Sequence, residues 1–550
     1  PSPRAAFDCA VSQLTRILLC LLLLFGARAI PAQDVPGLIR QYTDAIRAGM
    51  DGTLEGRRVA AVSVVQTFYA GREFAPVWID PARYDAVLKI VQDMPLHGLD
   101  PADYHADILA RLATAGAPQQ VAARDILATD ALIRLGYHLH FGKVDPVQLD
   151  PSWNLTRRFH GTEPVALLER ALAAPDLAGF IGKELAPNGP LYTGLRTTLA
   201  RYREIARAGG WPAVPPGPTL KPYAHDPRVA ALRARLAATD AALQADAPDP
   251  AQFDASLVDA VMRFQDRHGL QVDGLVGKRT LAALNVSVES RIDQLRVNLE
   301  RARWVFRERE PRYLVVNIAG FRAYLMENGE VAWEARVMVG KPFRQTPVFK
   351  ARMTYLVLNP DWTVPPTILK NDIIPRLAWD PEYLAEHDMV LRDRAGQSVA
   401  FDAAVLAQID AGRFPYSVRQ RPGPKNPLGR IKFMLPNDHA IYLHDTPSRG
   451  LFERAERSFS SGCIRVEHPL ELAERVMQDP VNWSQARFEE RIARGATQTI
   501  TLKTPISVYL MYWTAETGAD GQAVFYNDLY ERDAAVLAAL KEPFRFMPQR

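Results

Sequence analysis

Ile441-Tyr442-Leu443-His444-Asp445-Thr446-Pro447, followed after a polar loop by Ser460-Ser461-Gly462-Cys463-Ile464-Arg465-Val466, is the stretch on which the reading of this sequence turns. The first segment predicts a strand, Ala440 to His444, with a histidine at its end; the second places a cysteine at a glycine turn. A thiol reacts as thiolate, so it needs a base close by, and a Cys–His pair can ionise before substrate arrives. His444 is the expected general acid/base and Cys463 the nucleophile. Gly462 leaves room for a carbonyl to approach, and amides at the turn around Gly462 and Cys463 suit an oxyanion. Chain order argues against a papain-like arrangement, because the only histidine after Cys463 is His468, next to Pro469. His439 is a rival base, but it follows the turn Pro436-Asn437-Asp438, where a solvated histidine is the plainer reading.

Outward from this pair, residues 311–515 read as a mostly β domain. Tyr313–Ile318, Phe321–Leu325 and Ala335–Val339 are β-rich runs, with Asn328-Gly329 as the hairpin turn between the last two. Further strands are expected at Tyr355–Leu358, Ile431–Met434, Thr501-Leu502 and Ser507–Tyr512. Between Pro365 and Pro424 the pattern breaks, with a helix expected near Ala403–Ile409. An insertion of that length in a β domain is commonly a lid or binding loop, so 365–424 is expected to be a helical capping insertion. Residues 516–550 form a C-terminal extension.

Upstream, residues 36–222 are predicted to be a mainly helical scaffold, ending in the Pro-rich stretch Trp211–Lys221. His138 and His140 would share one side of a strand there, yet no third ligand accompanies them, so no metal is expected. Residues 225–286 form a small helical unit, and 287–310 a linker helix with Val288, Ile292, Leu295 and Leu299 in register.

Bulk properties agree with several soluble domains. The chain has 550 residues, 48% apolar and 23% charged, which suggests two to four domains. A net charge of +4 is too small to make nucleic acid the main partner. Residues 1–32 follow the plan of a secretory signal: Arg4 and Arg16, the apolar run Ile17–Phe25, then Ala27, Ala29 and Ala32. Crossing a bilayer takes about twenty apolar residues, so cleavage near Ala29 or Ala32 is expected, with uncleaved inner-membrane anchoring as the alternative. Cys9 and Cys20 fall in this segment, so the processed protein keeps only Cys463 and has no internal disulfide.

The region around His444 and Ser460-Ser461-Gly462-Cys463 resembles the catalytic domain of the L,D-transpeptidases, the YkuD-type family, in which a histidine precedes a Ser/Thr-x-Gly-Cys motif. Residues 225–286 resemble a three-helix peptidoglycan-binding module, through Phe264-Gln265, Val272-Asp273-Gly274 with Gly277, and Thr280 with Ala283-Leu284. With the helical scaffold and the insertion, the likeness is to the large multidomain branch of that family.

The resemblance implies that Cys463 forms a thioester with a tetrapeptide stem, releases its terminal D-Ala and completes a 3→3 cross-link. His444 would move the proton, the backbone of Asp445 would orient His444, and Gly462 would belong to the oxyanion turn. Ser461, Arg465, Tyr442 and Trp362 are the implied substrate contacts; Ser461 stands where many members have histidine. Donor and acceptor stem peptides and glycan would be the partners, with other cell-wall synthesis proteins beside them and carbapenems as covalent inhibitors. No cofactor or metal is implied, and the expected location is the periplasm. The alternatives are an L,D-carboxypeptidase or other peptidoglycan hydrolase using the same cysteine, and a non-catalytic wall-binding scaffold.

Overall fold

The structure, a computed structural model, describes residues 34–49, 53–155, 163–305, 310–410 and 414–546; the segment read as a signal, 1–32, lies outside them. The chain is multidomain, with a helical N-terminal region, a small helical module and a β-rich C-terminal domain. It divides into two compact units. One comprises the residues up to Asp93 with 100–136 and 160–180; the other comprises 94–99, 137–159 and the chain from Ile181 onward.

The first unit is helical. Asp34 caps the helix Val35–Arg47 by accepting from the Gly37 amide at 3.0 Å, and Leu38, Ile39 and Ile46 are buried. At its centre the buried Asp125 accepts from the Tyr69 hydroxyl at 2.6 Å and the Trp78 amide at 2.8 Å. Burial raises its pKa, while these donors satisfy its oxygens, so the group is a structural knot.

His138 and His140 lie on the helix Pro118–Phe141, which corrects the strand expectation. The helical spacing of Ile126-Leu127 and Leu132-Ile133-Leu135 simply continues through them. No cluster able to hold a metal occurs among the described residues.

In the second unit, helices Val229–Ala237, Ala255–Arg267 and Lys278–Leu284 enclose a core of Leu232, Leu236, Phe253, Leu257, Val261, Phe264 and Leu284. The Phe-Gln and Val-Asp-Gly motifs are explained by one clamp. The Gln265 side-chain amide donates to Asp273 Oδ1 (2.8 Å) and the Leu275 carbonyl (2.9 Å), while its oxygen accepts from the amides of Asp273 (3.0 Å) and Gly274 (2.8 Å). The following helix, Val288–Arg303, is capped by Ser287 and buried over most of its last turns. Its Arg303–Glu300 pair (2.6 Å) has no solvent exposure, so this segment is part of a core, where the sequence suggested a linker.

The β-rich domain contains β1 (Arg312–Asn317), β2 (Arg322–Glu327), β3 (Glu330–Gly340), β4 (Phe349–Leu358), β5 (Trp362–Thr363), β6 (Met389–Arg392), β7 (Ser398–Val399), β8 (Ser417–Gln420), β9 (Ile431–Met434), β10 (Leu443–His444), β11 (Ser458–Ser460), β12 (Ile464–Val466) and β13 (Gln498–Met511). The main sheet runs β11-β3-β12-β10-β9-β4-β13-β1-β2, and β2 also pairs with β3, so eight of its strands close on themselves. Asn328 (φ 52°) and Gly329 (φ 92°) turn the β2–β3 hairpin.

Two strand expectations change. Ala440 adopts φ 54°, which shortens the strand before the histidine to Leu443–His444. The pieces Thr501-Leu502 and Ser507–Tyr512 belong to one strand, β13, whose pairing shifts between Thr501 and Ile506. Strands β5–β8 form a separate sheet in the order β5-β8-β6-β7. That sheet and the helix Ala403–Asp410 have their own core, including Val364, Leu377, Leu384, Leu391, Val405 and Val418. An insertion that buries its own apolar cluster holds a defined shape instead of trailing as a loop.

Candidate active site

Strand register assembles the site. β10 and β12 are parallel, with Leu443 opposite Ile464 and His444 opposite Arg465. Leu443 and Ile464 are fully buried, so their neighbours at alternate positions, Tyr442, His444, Cys463 and Arg465, share the other face. On the opposite side of β10, Lys432 of β9 pairs with His444 and joins that face. Cys463 and His444 are therefore diagonal neighbours across adjacent strands, a spacing that long side chains bridge.

The turn bearing Cys463 is fixed by hydrogen bonds. Ser460 Oγ donates to the Cys463 carbonyl (2.5 Å) and accepts from the Gly462 amide (3.1 Å). Thr346 Oγ1 donates to the Gly462 carbonyl (2.7 Å) and accepts from the Gly340 amide (2.9 Å). Tyr530, from the C-terminal extension, donates to the Gly340 carbonyl (2.7 Å) and accepts from the Thr346 amide (3.1 Å). Gly462 sits at φ 120°, where a side chain would be strained. Because Ser460 occupies the Gly462 amide, the oxyanion expectation moves from Gly462 to the amide of Cys463 itself; Gly462 supplies the conformation.

Burial pushes both Cys463 and His444 toward their neutral forms. Burial raises the Cys463 pKa, against opposing pulls from Tyr442, Lys432 and Arg465. Burial, then Arg465, lowers His444 to about 3. The expectation of an ion pair formed before substrate binds therefore does not hold: a desolvated thiol and imidazole both favour their uncharged forms. No hydrogen bond joins them among the described residues; the thiol instead donates to the Ala440 carbonyl at 3.7 Å. His444 Nδ1 lies 2.5 Å from the Asp445 carbonyl, which fixes the proton on Nδ1 and leaves Nε2 as the basic atom. The Asp445 carboxylate accepts from the Arg430 amide at 2.9 Å and lies 3.6 Å from both Arg430 and Arg449, so it anchors the strand end.

The remaining sequence candidates divide by what they touch. Tyr442, with its pKa raised by burial and then by Cys463, interacts through its side chain with both the thiol and Trp362. Lys432 Nζ lies 4.7 Å from its ring centre. Ser461 Oγ accepts from Arg344 at 3.0 Å, and Arg344 is paired with Asp372 of the insertion at 2.6 Å. Arg465 has no carboxylate partner among the described residues, and its Nε is buried without a hydrogen bond. His439 is exposed, its ring 4.9 Å from that of Phe349.

Sequence reading missed Lys432, Arg344, Thr346 and Tyr530. Lys432 alternates with the core residues Ile431 and Phe433 and was findable as a charge on the face opposite the core of that strand. The others are long-range partners with no local signal.

Three stretches of the chain match known domain families. Residues 311–508 match the L,D-transpeptidase catalytic domain (YkuD). Residues 63–199 match a scaffold domain, and 225–284 match a family described as "Putative peptidoglycan binding domain". Over 254 residues the chain is 35% identical to a Haemophilus influenzae protein named "Putative L,D-transpeptidase", a stretch that is 46% of this chain and 50% of that protein. The chain thus spans about half the length of this curated relative. A crystal structure of an L,D-transpeptidase from Xylanimonas cellulosilytica covers 54% of this chain and 99% of its own, at 15% identity and a TM-score of 0.17; a superposition so loose carries no argument.

Proposed function

We propose that this chain, which carries an L,D-transpeptidase catalytic domain together with scaffold and peptidoglycan-binding domains, forms 3→3 cross-links between peptidoglycan stems through a Cys463 thioester. The observation that carries the reading is the register that sets Cys463 and His444 on one face beside the cations Lys432 and Arg465.

The thiol proton passes to His444 Nε2 as Sγ attacks the carbonyl of the third stem residue. The Cys463 amide stabilises the oxyanion. The C–N bond breaks, and D-Ala leaves with the proton from His444. An amine of a second stem attacks the thioester, His444 takes its proton, and the thiolate leaves and is reprotonated. Arg465, a cation without a carboxylate, suits a carboxylate of the donor stem. Tyr442 and Trp362 line its path, and Ser461 is held by Arg344. The insertion at 365–424 acts as a cap, since Trp362 and Asp372 tie it to Tyr442 and Arg344. Cell-wall domains imply an extracytoplasmic location; an N-terminal signal would deliver the chain to the periplasm. No helix among the described residues is long and apolar enough to cross a membrane.

The test is a mass spectrum of purified protein incubated with tetrapeptide muropeptides. A dimer that has lost one D-Ala is the expected product. Tripeptide monomer alone would instead support the carboxypeptidase reading, and unaltered substrate the non-catalytic one.

The neutral pair makes a pH prediction. The thiolate is the reactive species, and the Cys463 pKa lies above its ordinary value, so its population still climbs through neutrality. In the His444→Ala protein, where hydroxide must remove the thiol proton, the rate of carbapenem addition to Cys463, read by mass, is expected to rise about tenfold per unit between pH 6 and 8, whereas in the wild type transfer from neutral thiol to neutral imidazole keeps it nearly flat. His444, lowered to about 3, contributes no step in that window. A wild-type rate that climbed tenfold per unit would show that His444 does not take the thiol proton.

A further inference from the structure

A wide cavity of the second unit has a lining that does not include Cys463. It is an open groove of about 1730 Å³ with two unlike walls. One wall is the peptidoglycan-binding module, from Asp266 to Thr280; the other comprises β1–β3, the loop Leu451–Phe459 and residues 513–529. Arg279 of the module and Glu456 of that loop pair across it at 3.5 Å.

Its chemistry is mixed and nearly balanced. Rim arginines are matched by carboxylates: Arg322 with Glu334, and Arg336 with Glu453 at 2.8 Å. Deeper in, Glu516 accepts from Tyr526 and from Tyr324 (3.3 Å) and Asn317 (3.3 Å). Phe321 and Tyr324 add aromatic surface, and Val331 stands 54% exposed at the edge. Seven Lys/Arg face six Asp/Glu in the lining, a net charge of only +1, which offers a polyanion little attraction. Aromatic faces interleaved with fixed donors and acceptors suit a chain of neutral sugars, whose rings present apolar C–H faces and whose hydroxyl and acetamido groups need polar partners.

Reach is also favourable. Phe459 lines the groove and Cys463 is four residues on, so the two are at most about 14 Å apart along the chain. An extended tetrapeptide spans about the same distance.

We infer that this groove binds the glycan strand of peptidoglycan, jointly by the module and the catalytic domain, so that a stem peptide hanging from the bound strand reaches Cys463. The inference rests on the proposed transpeptidase reading. It makes wall binding a property of the two-walled groove, with β-domain residues as necessary as module residues.

The test uses the full chain and two surface variants, one per wall: Arg279→Glu, whose side chain is 78% exposed, and Val331→Glu. Binding is measured by cosedimentation with purified sacculi and by competition with glycan strands stripped of peptide by an amidase. Carbapenem addition to Cys463 is read by mass in the same samples. Each variant is expected to bind sacculi at least tenfold more weakly while still forming the carbapenem adduct, and peptide-free glycan is expected to displace the wild type. Wild-type binding by Val331→Glu would overturn the shared groove, leaving the module to act alone. Displacement by soluble stem peptide and not by glycan would overturn the glycan assignment. Joint loss of binding and adduct would mean that the groove is not separable from the cysteine site, and would also count against it. Failure of the transpeptidase reading itself has a different signature: sacculi bound through the groove, with no cross-linked dimer made by the wild type.

Discussion

Cys463→Ala is expected to lower cross-linking of tetrapeptide muropeptides by at least about 10⁴-fold, leaving a folded protein. Losing a covalent nucleophile removes the acyl-enzyme route altogether, and losses of about 10⁶ are seen where nucleophile and base act as a unit. The fold should tolerate the change. Cys463 is half-buried and its thiol makes only weak contacts, a long one to the Ala440 carbonyl and one to Tyr442, whereas the turn is held through the backbone of Gly462 and Cys463 by Thr346 and Ser460. The stability cost is expected to stay below about 2 kcal/mol, read as a thermal midpoint within a few degrees of wild type. The carbapenem adduct should vanish in the same sample. Cross-linked dimer made by a folded Cys463→Ala protein would remove the cysteine from the mechanism.

The placement of Cys463 and His444 on one face of the sheet was legible because both sit in short local patterns. A strand ending in histidine and a Gly-Cys turn need no distant information, and Asn328-Gly329 announced its hairpin in the same way. What was not legible is the surroundings that set the charge state. The sequence suggested an ionised pair; the sheet buries both groups and places Arg465 next to the imidazole, which drives both toward neutrality. Burial belongs to the closed sheet, not to either motif.

Arg344 illustrates the same limit. It lies in the turn after β3, yet its partners are Ser461 and Asp372, one near Cys463 and one in the insertion. The apolar register of Val288, Leu295 and Leu299 gives the helix Val288–Arg303 as a linker helix; the buried Arg303–Glu300 pair is visible only when the partners are in place. His138 and His140 were misread because a two-residue alternation is too short to tell a strand from the end of a long helix.

His444→Ala is expected to cost about 10²- to 10⁴-fold in cross-linking, the usual range for a positioned general acid/base. The size of the loss separates two roles that one histidine plays in turn. In acylation Nε2 must take the thiol proton, and burial makes that thiol harder to ionise than usual. In deacylation it must take a proton from the incoming amine, which a solvent hydroxide ion replaces poorly in a covered site. The variant should therefore retain part of its reaction with carbapenems, where the strained ring makes the carbonyl more reactive, and lose more of its transfer to an amine acceptor. Raising the pH should recover the carbapenem reaction more than overall cross-linking, because hydroxide can remove the thiol proton, whereas in the acylation that precedes transfer the departing D-Ala amine still needs a proton donor. The Asp445 carbonyl that fixes the Nδ1 proton cannot substitute, since it offers no exchangeable proton. A His444→Ala protein that cross-links within threefold of wild type would assign the proton transfer to another group, with Tyr442, which interacts directly with the thiol, as the group to replace next.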